Sequence, residues 1–220
     1  SFGKAKAELR KIYGNKNKTF YCGCSYQRNS IKTKCNLNFK KFKKRQKRLE
    51  WEHVVPAHAF GQSFKEWRQA KDICPKRKNK KGKFKKISSR KCASKKNKLF
   101  RSMESDIYNI VPAVGAVNAL RSNFSMDEFT EGKTLCKDGI KILNRKVMPS
   151  KEKRGDVARI YLYMHSAYPG RGIVSNKNKS LFEKWNREDP VDSNECNYYI
   201  KKKKIQKNPN PILESLCFKK

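Results

Sequence analysis

Acidic residues are scarce in this chain of 220 residues: 19 Asp and Glu stand against 55 Lys and Arg, a formal charge of +36. So lopsided a balance argues for a polyanionic partner, with nucleic acid, anionic membrane and heparin-like polymers all in range. Long apolar runs are also missing. No stretch reaches the roughly eighteen apolar residues that a spanning helix needs, so no membrane insertion is expected. The opening SFGKAKAELRKIYG has no apolar signal-peptide core, and the expectation is a mature, processed form or a chain that was never exported. No CxxC pair occurs, which weighs against a zinc ribbon or a thioredoxin-like redox site. Repeats and clear domain boundaries are absent as well, and 1–220 reads as one domain of ordinary size.

What is present begins with eight cysteines, at 22, 24, 35, 74, 92, 136, 196 and 217. An even number spread over the whole chain reads as four disulfides formed in an oxidising compartment. Cys22 and Cys24 are too close to bond each other easily. The expected pairing is Cys74–Cys92 and Cys136–Cys196, with Cys35 and Cys217 taking the CGC pair, although spacing leaves the connectivity open.

Periodicity locates the elements. Phe2, Ala5, Leu9, Ile12 and Tyr13 fall at helical spacing. TFYCGCSYQ reads as a short strand, with Gly23 letting another segment approach closely. In DIYNIVPAVGAVNALRSNFS, 106–111 reads as a short strand or turn and Pro112 as the first turn of a helix carrying Asn118 and Arg121 three apart. The strongest helix is 150–168, capped by Ser150, with a stripe of Val157, Ile160, Tyr161, Met164 and Tyr168. Leu181, Phe182 and Trp185 mark another, ending before Pro190. Residues 39–48 include seven basic side chains, and 75–98 holds 13 Lys or Arg without one acid. The second block is too poor in apolar residues to build core and reads as a loop or partly disordered insertion whose base a Cys74–Cys92 bond would pin.

Between these basic blocks lies RLEWEHVVPAHAFG, which sets Glu50, Glu52 and His53 in an apolar run. A zinc protease is excluded: its signature places Glu beside the first of two His four apart, whereas Glu52 precedes His53 and His58 lies five residues on. His58 and His165 read as structural or surface residues. Two readings of the motif stay open on composition and spacing. One is a structural ion-pair cluster; the other is a metal-dependent phosphodiesterase site, in which a hard oxygen ligand for Mg²⁺ stands beside an imidazole that deprotonates water.

FYCGC, EWEHVVPA with the FG after it, NIVPAVGAVNALRSNFS and RGDVARIYLYM occur in the order, from about 21 to 185, in which the chain resembles the endonuclease I family of bacterial periplasmic and secreted nucleases. The resemblance implies an α+β fold with a ββα-metal (His-Me finger) core surrounded by helices and stapled by disulfides. It implies His53 as the general base, Glu52 and Asn118 as the ligands of Mg²⁺ (Ca²⁺ or Mn²⁺ substituting), and Glu50 and Glu104 in support of them. The family's phosphate-holding Arg precedes a cysteine after a short Gly-containing turn. Here the Lys-rich insertion replaces that turn and ends SSRKC, making Arg90 the best candidate and Arg121 an alternative phosphate contact. The implied protein is a monomeric periplasmic or secreted endonuclease of low sequence specificity, cutting DNA and also RNA to 5′-phosphorylated fragments. The rival is a non-catalytic cationic protein that binds nucleic acid or anionic membrane and uses EWEH only as structure.

Overall fold

In the computed structural model, described for all residues except 33–34, 36, 38–39, 76, 79–81, 83, 86, 138 and 219–220, two short strands form the centre. Leu49–His53 pairs antiparallel with Ile110–Val114, in a register that sets Glu52 opposite Val111 and His53 opposite Ile110. The second strand runs into the helix Gly115–Arg121. Pro112 therefore lies inside a strand, where the sequence placed it in a helix. Its carbonyl accepts a hydrogen bond from Phe20 N at 2.8 Å, away from Leu49–His53, so its missing N–H falls on the edge that needs no ladder bond.

Around this pair stand helices whose stripes match the sequence periodicity. Phe2–Tyr13 buries Ala5, Leu9 and Tyr13 against Trp51 and Ile110, giving the first strand its outer cover. Lys151–Ala167 buries Val157, Tyr161 and Met164, with Ile160 only partly covered, and packs on Asn176–Glu188 through Phe182 and Trp185. Ser150 stands at its N-cap as expected, but its side chain makes no capping bond. Arg159 of this helix is 1% exposed and binds Glu195, Asn186 and the Asp189 carbonyl, docking the next helix, Ser193–Lys203. Of TFYCGCSYQ only Ser25–Gln27 is a strand; the preceding residues turn. Gly23 is at φ 59 with open space where a Cβ would be, so glycine is required there by the backbone and not by a close neighbour.

All eight cysteines are bridged, as Cys22–Cys136, Cys24–Cys35, Cys74–Cys92 and Cys196–Cys217. Cys74–Cys92 and the use of Cys35 by the CGC pair match expectation; Cys136–Cys196 and a bond from CGC to Cys217 do not. The turn carrying Cys136 lies on the 19–24 turn, with its Sγ 3.9 Å from the Tyr21 carbonyl, and so meets Cys22. Cys196 faces instead the short helix Pro211–Cys217 that follows its own. The basic insertion carries more order than a loop. Arg77–Lys78 pairs with Phe84–Lys85, and Ser89–Lys96 is a helix that buries Cys92 and Ala93. Part of its tip lies outside the described residues.

Candidate active site

The Leu49–His53 strand ends at the floor of a cavity of about 730 Å³, lined among others by Phe2, Glu52, His53, Arg90, Asn118 and Arg121. In a regular strand Glu52 and His53 point to opposite sides. Both line this cavity because it wraps the end of the strand, taking in Leu49 to His53 from either face.

His53 is 7% exposed, and its Nε2 lies 2.8 Å from the backbone oxygen of Glu104. A carbonyl only accepts, so Nε2 carries the proton and Nδ1 keeps its lone pair. Burial, then the Arg90 guanidinium, pushes the imidazole down to about 3, while the Glu104 carbonyl pulls weakly the other way. The ring is therefore neutral near pH 7. Phe2 packs against it with ring centroids 4.7 Å apart.

Glu52 is 2% exposed, and neither of its carboxylate oxygens has a hydrogen-bond partner. The cation beside it is Arg121, whose Nε stands 3.4 Å from Oε1. Burial raises the carboxyl to about 7, against the opposing pull of Arg121 and the neighbouring Tyr21 hydroxyl. A buried carboxylate with both oxygens unsatisfied is expensive unless something else fills them. Asn118 supplies a second oxygen. Its Nδ2 donates to Glu50 Oε2 at 2.9 Å, leaving Oδ1 unspent. Glu50 is fixed in turn by a fork from Arg45, with Nε at 2.9 Å and Nη2 at 2.5 Å. Gly115 makes this possible, because a Cβ there would stand 2.7 Å from Glu50 Oε1 and 2.9 Å from the Arg45 carbonyl. Among the described residues no three His, Cys, Asp or Glu side chains converge as metal ligands. The groups that could hold a cation are one carboxylate and one amide oxygen, a hard and sparse donor set.

Arg90 opens the Ser89–Lys96 helix and gives its Nε to Glu104 Oε1 at 2.6 Å, leaving Nη2 without a partner. Glu104 thus serves two neighbours, His53 through its main chain and Arg90 through its side chain. Arg121 is placed differently. It is 1% exposed, and its guanidinium reaches the carbonyls of His53, Val54 and Ser122. It ties the strand end to the helix that carries Asn118. His58 and His165 are exposed, His58 resting edge-on to Trp67. Sequence alone does not mark Phe2 and Tyr21 as site residues. Phe2 lies 51 positions from the histidine it covers, by the numbering of the pair, and only its place in an amphipathic stripe is visible locally.

The endonuclease I family model matches residues 3–217. An extracellular deoxyribonuclease of Aeromonas hydrophila is 34% identical over 226 residues, covering 99% of this chain and 90% of that protein. A periplasmic deoxyribonuclease of the same organism is 34% identical over 227 residues, covering 99% of this chain and 86% of that protein. Endonuclease-1 of Buchnera aphidicola subsp. Acyrthosiphon pisum is 32% identical over 228 residues, covering 100% of this chain and 83% of that protein. A match of this extent, with EWEHVVPA and the NIVPAVGAVNALRSNFS segment meeting at one cavity, places the chain in the endonuclease I family.

Proposed function

We propose that this chain is an endonuclease that hydrolyses phosphodiester bonds of DNA, and of RNA, to 5′-phosphorylated products with Mg²⁺. The observation that carries the reading is the neutral His53, its Nδ1 free, in the same cavity as the unsatisfied Glu52 carboxylate. The chain is secreted or periplasmic: four disulfides require an oxidising compartment, and the relatives are named extracellular and periplasmic. It acts as a monomer and as one domain over 1–220, with 75–98 as a basic insertion.

In this reading the strands Leu49–His53 and Ile110–Val114 and the helix Gly115–Arg121 form a ββα-metal core. Glu52 and the Asn118 Oδ1 hold the divalent cation, for which Ca²⁺ or Mn²⁺ substitutes, and Glu50 keeps the Asn118 amide turned the right way. Such a cation supplies charge neutralisation at the leaving 3′ oxygen. His53 Nδ1 takes a proton from the attacking water, its ring held by the Glu104 carbonyl and Phe2. Arg90, anchored on Glu104 with its side chain 40% exposed, gives the accessible part of its guanidinium to a non-bridging phosphate oxygen. The incoming phosphate anion offsets the field of Arg90, which raises the basicity of His53 where the proton is taken. Arg121 braces the strand end. Low sequence specificity follows, because contacts to phosphate carry little sequence information.

The test is supercoiled plasmid incubated with pure protein and Mg²⁺, with EDTA, and with the His53→Ala variant. Nicking that needs the metal and disappears in the variant is expected. Absence of nicking by the wild type, or full activity of His53→Ala, overturns the proposal.

A further inference from the structure

Two of the exposed large apolar side chains are aromatic, Phe42 at 44% and Phe218 at 51%. Phe218 leans on Tyr199, whereas Phe42 touches no other ring among the described residues. Phe42 stands in the sequence KKFKKRQKR, and Lys40, Lys41, Lys43, Lys44 and Lys47 around it are all exposed. Its backbone is left-handed, at φ 57 and ψ 38, a conformation that glycine or asparagine adopts far more readily than a bulky residue. Cost and exposure together leave this ring without a role in the core.

The ring is tied to the cavity through a short chain of contacts. The Arg45 guanidinium lies over Phe42, 5.7 Å from its centroid, and the same group forks onto Glu50, which holds Asn118. Arg48, just beyond, lines the cavity itself. An open aromatic face ringed by ammonium groups is the combination that binds unpaired nucleotides, with lysines following the phosphates and the ring receiving a base. A base in the interior of a duplex is already stacked on both neighbours and has no face to offer.

We infer that Phe42 is a stacking platform for an unpaired base, part of a single-strand subsite beside the cleavage site. This deepens the nuclease reading but is tested without catalysis, so the two fail separately. Binding is measured by fluorescence anisotropy in EDTA, with the His53→Ala protein as parent, on labelled oligo(dT), on a blunt duplex of equal length and on phosphatidylserine vesicles. Adding Phe42→Ala weakens oligo(dT) binding about tenfold and leaves the duplex within about twofold. The slope of log affinity against log salt does not change, because no charge is removed. Phe42→Trp restores the affinity. Unchanged oligo(dT) binding overturns the inference, as does equal weakening on strand and duplex. Weakening confined to the vesicles assigns the ring to a lipid surface and overturns it too. Loss of plasmid nicking has no bearing on this result, and a silent Phe42→Ala has none on the mechanism.

Discussion

His53 Nε2 donates to the main-chain oxygen of Glu104 at 2.8 Å, and this contact decides which ring nitrogen keeps its lone pair for the proposed base role. Because the acceptor is backbone, it survives any substitution of Glu104, while the Arg90 partnership at 2.6 Å does not. His53→Ala should lower the single-turnover nicking rate by a hundred- to ten-thousand-fold, the usual range for a general base, on the order of 10²–10⁴. Glu104→Gln should keep most of the rate and mainly raise KM, as Arg90 loses its anchor. Equal damage from the two variants would mean that the Glu104 side chain does more than hold Arg90.

Glu52 and Arg121 are 2% and 1% exposed and only 3.4 Å apart, yet their roles separate. Removing the arginine leaves a buried carboxylate uncompensated and three main-chain carbonyls without their donor. Arg121→Ala should cost about 3–5 kcal/mol by urea denaturation, the range for breaking a buried pair. Glu52→Gln keeps the shape and leaves Arg121 bound to its carbonyls, so it should lose less stability. In isothermal titration it should lose Mg²⁺ affinity. An Arg121→Ala protein of normal stability and poor DNA affinity would assign Arg121 to phosphate contact instead of bracing.

The charge of +36 makes binding a salt-sensitive quantity. With six or more phosphates neutralised, affinity for duplex DNA should fall about a thousandfold or more between about 50 and 200 mM salt. A shallow slope would assign the lysines of 39–48 and 75–98 to solubility alone.

Local patterns in the sequence carried much of the fold. The stripes of Phe2–Tyr13 and Lys151–Ala167 are legible because each helix packs one repeating face on the core. EWEH marks the site for a different reason, since carboxylates and imidazole in an apolar run have few inexpensive explanations. What escaped is non-local. Pro112 reads as a helix start until Phe20 shows which edge of the strand it occupies. Asn118 and Arg121 share a helix, but only the packing sends the first to Glu50 and the second to the carbonyls of His53 and Val54. Gly115 carries no local signal of the carboxylate lying 2.7 Å from its absent Cβ.

The disulfides offer a ranking. Cys22–Cys136 spans 114 residues and Cys24–Cys35 only 11. On chain entropy the double Cys→Ser variant of the first should lose about 4–5 kcal/mol and that of the second about 3 kcal/mol or less. Urea midpoints at fixed pH test the order. A reversed order would show that local packing outweighs loop closure at the 19–24 turn.

Asp106 gives the molecule a stability slope of definite sign. It is fully buried and accepts from the hydroxyls of Tyr163 at 2.7 Å and Tyr168 at 2.8 Å and from Tyr108 N at 3.0 Å. Burial still wins over these donors and raises the carboxyl to about 6. Since the folded value exceeds the unfolded one, near 3.9, the native state holds the proton more tightly. Its stabilising contribution is then fully present below about pH 4 and lost as pH rises through about 6, amounting to roughly 3 kcal/mol at 1.36 kcal/mol per unit. Glu195, raised to about 7, adds a slope of the same sign, so the wild type alone does not isolate Asp106. Lys202, lowered to about 8, stays charged across this window in both states and adds none. The measurement is therefore a difference: the urea-derived stability of wild type minus Asp106→Asn, followed from pH 4 to 7. It should fall through this window and flatten above it. A difference independent of pH would mean that the three donors keep Asp106 ionised throughout.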